Sequence, residues 1–224
     1  MERNACRIAV VGAGFSGVMT AIHLLWRCKP GERVYLVERA GRLGPGIAYA
    51  TRHPRHLVNV RAEHMSAFED DPDHFTRWLD NLTLTERAAA GVRAPAGLFV
   101  RRELYGRYIQ DLLRSVITQQ GGAQNLYIVT DAATALRPEN GGLTLETGCG
   151  RSYELDAAVL AMGNLPTARS DVEGYHADPW DPAATEGLDK ALPVLVLGTG
   201  LTMVDVVLTL LERGFQGPIY ALSR

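Results

Sequence analysis

The sequence predicts an α/β fold: a parallel sheet alternating with helices, an inserted antiparallel meander, and the opening of a second unit of the same kind. Three observations predict it. Near each end of the 224-residue chain an apolar run leads through a glycine-rich turn into an amphipathic stretch and a second apolar run. These are "CRIAVVGAGFSGVMTAIHLLWRCKPGERVYLVER" at residues 6–39 and "PVLVLGTGLTMVDVVLTLLERGFQGPIYALSR" at 193–224. Between them, residues 126–155 alternate in the short-period manner of a β-meander. A composition of 46% hydrophobic and 21% charged residues is that of a folded globular chain.

Cys6–Val11 is the first strand, nearly all apolar, as expected when both faces of a parallel sheet are covered. Phe15–Trp26 is a helix offering Val18, Ile22, Leu25 and Trp26 to one face. Pro30 and Gly31 end it. Arg33–Glu38 is the second strand. Residues 39–75 form a long irregular stretch rich in Gly, Pro and His, a length usually tied to function. "DPDHFTRWLDNL" opens a helix with Asp71 or Asp73 near its start. "ELYGRYIQDLLRSVITQQ" is a further helix with Leu104, Tyr108, Leu112 and Val116 on one stripe. The meander consists of "LYIVTDAATALR", "GLTLET" and "SYELD", with turns at "PENGG" and "GCGR". "AAVLAMGNLP" is a buried strand ending in a glycine turn. A polar, proline-rich connection at about 166–191 precedes the second copy.

A net charge of −2 implies no basic face, so nucleic acid and acidic membranes are not expected partners. The N-terminal apolar run is broken by glycines well short of the ~20 residues a membrane helix needs. Cys6, Cys28 and Cys149 form no CxxC pair, which leaves neither a dithiol motif nor a zinc knuckle and fits a reducing, cytoplasmic setting. His53 and His56 flank a proline in "HPRH", and no carboxylate or cysteine completes a recognisable metal set, so no metal site is expected and a loop or surface role is favoured. Asp205 is expected to hydrogen-bond along its helix, and Tyr105 and Tyr108 to be core residues.

The two end segments align without a gap at an offset of 186 residues, pairing Gly12 with Gly198, Gly14 with Gly200 and Glu38 with Arg224. In the first copy Gly12 permits a sharp turn, Gly14 allows a pyrophosphate to approach the backbone, and Gly17 lets the helix lie close to the strand. Phe15 and Ser16 then open a helix whose free N–H groups face the phosphates. Glu38, followed by Arg39, is placed to accept from both hydroxyls of an adenosine ribose and would repel a 2′-phosphate. This copy is therefore expected to take FAD or NAD rather than NADP. The second copy, with Leu201 and Thr202 opening its helix, has Met203 for the third glycine and Arg224 for the acid. A guanidinium suits a phosphate, so NADPH is expected there, with a plain surface charge as the alternative reading of Arg224.

"VVGAGFSG…VER", "LAMGNLP" after a meander, and "VLGTG" together resemble the two-dinucleotide-binding flavoproteins. That resemblance implies FAD on the first Rossmann unit, closed on the flavin side by Ala161-Met162-Gly163, and NAD(P)H on the second. "GPGIAYATRHPRHLVNVRAEHMSAFEDDPDHFTRWL" and "DPW" look like the bacterial FAD/NAD(P)-binding proteins. "LVNVRAEHMSAFEDDP" is similar to a segment of the flavin-containing monooxygenases, matching at Leu57, Asn59, Met65 and Pro72. Phe68 and Asp71 stand one position off the family's spacing, and Val60 and Arg61 depart from it. The resemblance implies that Asn59 lies beside the reactive flavin edge; a turn-capping role is the other reading.

The implied reaction is NADPH-dependent hydroxylation of a small molecule through a flavin C4a-hydroperoxide. The alternatives are a flavin reductase passing electrons to a quinone or protein acceptor, and a non-catalytic FAD-binding or interaction protein. The expected division is 1–165 for the FAD unit, 166–191 for the connection and 192–224 for the start of the NAD(P)H unit. Because that last unit is only one βαβ turn, the chain is expected to be the N-terminal part of a longer flavoprotein.

Overall fold

The computed structural model describes residues 5–89, 99–119, 124–139, 141–164 and 172–224. The first apolar run forms β1 (Arg7–Val11), followed by α1 (Phe15–Leu25) and β2 (Arg33–Val37), each within a residue of its expected limits. The irregular stretch that follows contains one 3₁₀ turn, Ala62–His64. Three helices come next: α2 (His74–Asp80), α3 (Leu84–Ala89) and the long α4 (Arg102–Gln119).

The strand β3 (Leu126–Val129) corrects one expectation. It does not belong to the meander. It runs parallel to β2, Val34 opposite Leu126 and Val37 opposite Val129. "LYIVTDAATALR" is thus two strands, broken where the Asp131 carboxylate accepts from the Ala132 and Cys149 N–H groups at 2.8 and 3.0 Å. The meander proper is β4 (Ala133–Glu139), β5 (Gly142–Thr147) and β6 (Ser152–Leu155), antiparallel throughout. Strand β7 (Ala157–Leu160) then returns beside β1, completing a parallel sheet in the order β3-β2-β1-β7. The second copy forms β8 (Val194–Leu197), α5 (Leu201–Glu212) and β9 (Ile219–Leu222), a separate two-stranded parallel sheet.

Both faces of β1 and β2 are covered, which is why they are apolar without alternation. The edge strand β7 corrects a second expectation: it is not buried, and Val159 and Leu160 are exposed. Val10, Val34 and Leu36 point to α1, α2 and α4, packing with Val18, Ile22, Phe75, Tyr105, Tyr108 and Ile109. Ala9, Val11, Tyr35 and Val37 point the other way, onto Val129 and the meander residues Leu145 and Leu155. Tyr105 and Tyr108 are core residues, as expected, and burial pushes the Tyr108 phenol up to about 12. The expected boundary at 165/166 lies outside the described residues. Among the described residues no helix is long and apolar enough to cross a membrane.

Candidate functional site

The turn between β1 and α1 is built by what its residues lack. Gly12 has φ +96°, a conformation that L side chains resist, and its N–H donates to the Val37 carbonyl at 2.8 Å. A Cβ on Gly12 would also stand 2.3 Å from the Ala161 carbonyl oxygen. A Cβ on Gly17 would stand 1.8 Å from the carbonyl oxygen of Gly12, so only glycine lets α1 lie this close to the turn. Gly14 is the N-cap of α1 and supplies no side-chain acceptor, and the first helical turn holds no acidic residue. The leading N–H groups at Phe15, Ser16 and Gly17 therefore face outward with the positive end of the helix dipole.

Other segments converge on this elbow. Glu38 is tied directly to it: one carboxylate oxygen accepts from the Ala13 N–H at 3.0 Å and the other from the Ala40 N–H at 3.0 Å. Each oxygen keeps a further lone pair for a ligand hydroxyl. Arg39 follows, exposed. The turn Ala161-Met162-Gly163 sits alongside, its Ala161 N–H donating to the Val11 carbonyl at 2.8 Å, with Met162 exposed and Gly163 at φ +68°.

The "GPG" of residues 44–46, which opens the stretch resembling the bacterial FAD/NAD(P)-binding proteins, also packs on this elbow. Gly44 donates to the Ala13 carbonyl at 2.7 Å, and a Cβ on Gly46 would stand 3.1 Å from the Cα of Gly14. The Gly-Pro-Gly turn signal was the clue available.

The second elbow repeats the backbone of the first. Gly198 has φ +112°, and Gly200 caps α5 at φ −78°, ψ −174°, against −72° and −167° at Gly14. Leu201 and Thr202 are exposed at the start of α5. The gap-free alignment fails at its far end, however. Val11 pairs with Val37 in the first unit, whereas Leu197 pairs with Leu222 in the second. The Gly198 N–H donates to Leu222 at 2.7 Å, as Gly12 does to Val37. The path from elbow to strand end is one residue shorter, so Ser223 takes the place equivalent to Glu38, and Arg224 follows it.

The loop after β2 carries the remaining candidates. Asn59 is exposed in a bend, and its amide makes no hydrogen bond among the described residues. The "HPRH" histidines are more than surface groups. His56 is buried, and its Nε2 lies 3.1 Å from both the Asp205 carbonyl oxygen and the Thr209 hydroxyl of α5. Its Nδ1 lies 2.8 Å from the Thr51 hydroxyl. Burial pushes the His56 imidazole below its ordinary pKa, against the pull of Asp205. His53 stacks on His56 at 4.2 Å and pairs with Glu212. Asp205 is also buried. Its carboxylate makes an ion pair with Arg102 at 2.9 Å, a charge contact rather than a well-aligned hydrogen bond. Among the described residues no cluster of three or more His, Cys, Asp or Glu could hold a metal ion.

Comparison with known proteins follows the same lines. The chain is 26% identical over 211 residues to Escherichia coli YdhS, described as an uncharacterized protein, covering 90% of this chain and 39% of the relative. It is 25% identical over 228 residues to the FAD-binding monooxygenase ausB of Emericella nidulans, covering 90% of this chain and 28% of that one. The chain thus spans well under half the length of the curated relatives it matches. In solved structures the same fold occurs in OTEMO in complex with FAD and NADP, with a TM-score of 0.61 at 18% identity over 98% of this chain and 39% of that one. It occurs also in cyclohexanone monooxygenase from Rhodococcus sp. Phi1 bound to NADP+, with a TM-score of 0.57 at 18% identity, over 98% of this chain and 38% of that one. The profile of the FAD-NAD(P)-binding family matches residues 9–165, the segment that holds the first elbow, Glu38 and the turn at Met162, and the chain belongs to that family.

Proposed function

We propose that this chain holds FAD on its first elbow and NADPH on its second, within a flavin-dependent oxidoreductase of the monooxygenase type. The observation that carries the reading is one backbone geometry used twice with opposite chemistry at the strand end. The first elbow is joined to a carboxylate, Glu38; the second is followed by a hydroxyl and a guanidinium, Ser223 and Arg224. A carboxylate selects ribose hydroxyls and repels a 2′-phosphate, and a neutral hydroxyl followed by Arg reverses that preference. The names of the FAD-binding monooxygenase ausB, of OTEMO in complex with FAD and NADP and of cyclohexanone monooxygenase bound to NADP+ favour the same assignment.

FAD, when bound, supplies a hydride acceptor and a partner for oxygen. The chain's residues do the rest. The N–H groups at Gly14, Phe15, Ser16 and Gly17 would hold the pyrophosphate, and Glu38 the ribose. Arg39 would lie at the adenosine side, and Met162 and Gly163 would close the flavin side. On the second elbow, Gly198, Gly200, Leu201 and Thr202 would hold the other pyrophosphate. Asn59, exposed and with no hydrogen bond from its amide among the described residues, would meet the flavin edge. The proposed units are 1–165 and 192–224, joined by 166–191.

The test is the visible absorption spectrum of the full-length protein before and after NADPH is added under air. A bound flavin band that bleaches with NADPH and returns with oxygen supports the reading. Replacing Arg224 with Ala should raise the KM for NADPH at least tenfold while that for NADH moves less than threefold; equal shifts refute the phosphate role. NADPH oxidation coupled to a quinone with no oxygenated product would identify a reductase instead. Binding of FAD without NADPH turnover would refute the oxidoreductase reading.

A further inference from the structure

The polar contacts between the loop after β2 and helix α5 form a matched set. Asp205, Thr209 and Glu212 lie at i, i+4 and i+7 and share one face of α5. Each meets a partner from the first unit: Asp205 meets Arg102 at 2.9 Å, Thr209 meets His56 at 3.1 Å, and Glu212 meets His53. Arg102 is anchored at its other edge, where Nε donates to the Leu57 carbonyl at 2.9 Å. The guanidinium also lies 5.5 Å from the ring centre of Trp180 in the connecting segment.

Hydrogen positions follow from the partners. The Thr209 hydroxyl donates to the Asp205 carbonyl at 2.8 Å, so His56 Nε2 must carry a proton to contact the same atoms. His56 Nδ1 then accepts from Thr51, whose oxygen accepts in turn from the His53 N–H at 3.3 Å. Every polar atom of the imidazole is committed.

This set is placed where it sets geometry. The N-terminus of α5 is the second glycine elbow, and Asp205 lies just over one turn into that helix. The β8–β9 sheet shares no strand with the first sheet. We propose that Arg102, Asp205 and His56 are positioning residues: they fix α5 against the first unit and so fix the direction in which the second elbow presents its dinucleotide to the first. The inference rests on the two-cofactor reading above.

The experiment uses the full-length protein and the variants Arg102→Met, Asp205→Asn, both together, His56→Gln and His56→Phe. With FAD bound, the rate constant for anaerobic flavin reduction at saturating NADPH should fall at least tenfold in Arg102→Met and Asp205→Asn. The dissociation constants for FAD and NADP+ should change less than threefold. The double variant should be no worse than the poorer single one. His56→Gln, whose amide can donate from the place of Nε2, should stay within threefold of wild type, and His56→Phe should lose as much as the ion-pair variants.

In the FAD-free protein, amide exchange in α5 should quicken at least tenfold in Arg102→Met, Asp205→Asn and His56→Phe, with α1 unchanged. Reduction rates within twofold of wild type overturn the proposal, as does a Gln variant as damaged as Phe, or FAD loss in parallel with the rate. A wild-type protein that holds FAD but is not reduced by NADPH fails the two-cofactor reading. In that event exchange alone judges the joint, and unchanged α5 exchange overturns it.

Discussion

Replacing Gly17 with Ala asks whether the first elbow is as tight as its geometry requires. In the middle of an ordinary helix this change stabilises, by about 1 kcal/mol, because alanine loses less backbone entropy than glycine. Here the added Cβ would stand 1.8 Å from the Gly12 carbonyl oxygen and 2.9 Å from its carbon. A carbon and a carbonyl oxygen sit comfortably at about 3.3 Å. The helix start would therefore have to withdraw by roughly 1.5 Å, and the obstacle is backbone rather than a side chain that can rotate away. Overpacking of this kind costs about 1–3 kcal/mol, and a backbone obstacle belongs at or beyond the upper end, so the net expectation is a loss of about 2 kcal/mol. That corresponds to a fall of about 4–8 °C in Tm for a domain of this size. Thermal unfolding followed by far-ultraviolet circular dichroism measures it, and FAD affinity should drop more than tenfold with the displaced helix start. A Tm that rises, following helix propensity, would refute the claim that α1 is held against the turn by the absence of a side chain. Met203→Ala at the matching place in α5 is the control and should move Tm much less, because that position already accommodates a side chain.

Glu38→Gln leaves the Ala13 or the Ala40 N–H facing an amide NH2 instead of an acceptor. It should cost about 1–2 kcal/mol in urea unfolding, and weaken FAD at least fivefold by flavin fluorescence titration. Burial lowers the pKa of both His56 and His74. The unfolded chain therefore binds more protons than the folded one once pH falls through the ordinary imidazole value of about 6.5, and stability should decline from there until the folded imidazoles are protonated too. Tm measured between pH 7.5 and 5 should show this decline, and it should be shallower in His56→Gln; a flat profile would contradict the burial of both rings. Ser223→Glu should restore the carboxylate of the first elbow to the second. At roughly 4 Å and an effective dielectric of 20 its repulsion of a 2′-phosphate is about 4 kcal/mol. NADPH should therefore lose at least a hundredfold in kcat/KM while NADH loses little.

The parts of the fold fixed by local chemistry were legible. Strands β1 and β2 and helix α1 lie where the apolar runs and glycines put them, because a buried parallel strand and a glycine elbow each leave a local mark. Strand β3 departs from the expected meander because nothing inside "LYIVTDAATALR" says which partner Leu126–Val129 will choose; pairing with β2 is a tertiary event. Helix α3 was passed over although its signal was present. The Thr83 hydroxyl accepts from the Glu86 N–H at 3.1 Å and Glu86 reaches back to the Thr83 N–H at 2.9 Å, a capping box that the T-x-x-E spacing encodes. In the site, Glu38 could be placed by counting along a strand. Arg224 was misregistered by the same method, since one residue fewer on the way to the strand end leaves every local pattern intact. The joint at His56 was not legible at all, because its partners Asp205 and Thr209 lie 149 and 153 residues away.

The two elbows differ most in what surrounds them. A side chain added at Gly12 or Gly17 would collide with backbone, and one added at Gly46 would press on Gly14, while among the described residues no heavy atom beyond the chain neighbours lies within 4 Å of a Cβ at Gly198 or Gly200. The first elbow is thus held on three sides, by the turn at Ala161 that follows β7, by the Gly-Pro-Gly turn and by the Glu38 carboxylate. Donors fixed in advance need not be ordered on binding, so more of the contact energy remains as affinity. Among the described residues the second elbow has the same turn without that enclosure, and on the proposal above its place relative to the first is set through the far face of α5. On the proposed assignment, this preformed enclosure suits the first elbow to a tightly held dinucleotide.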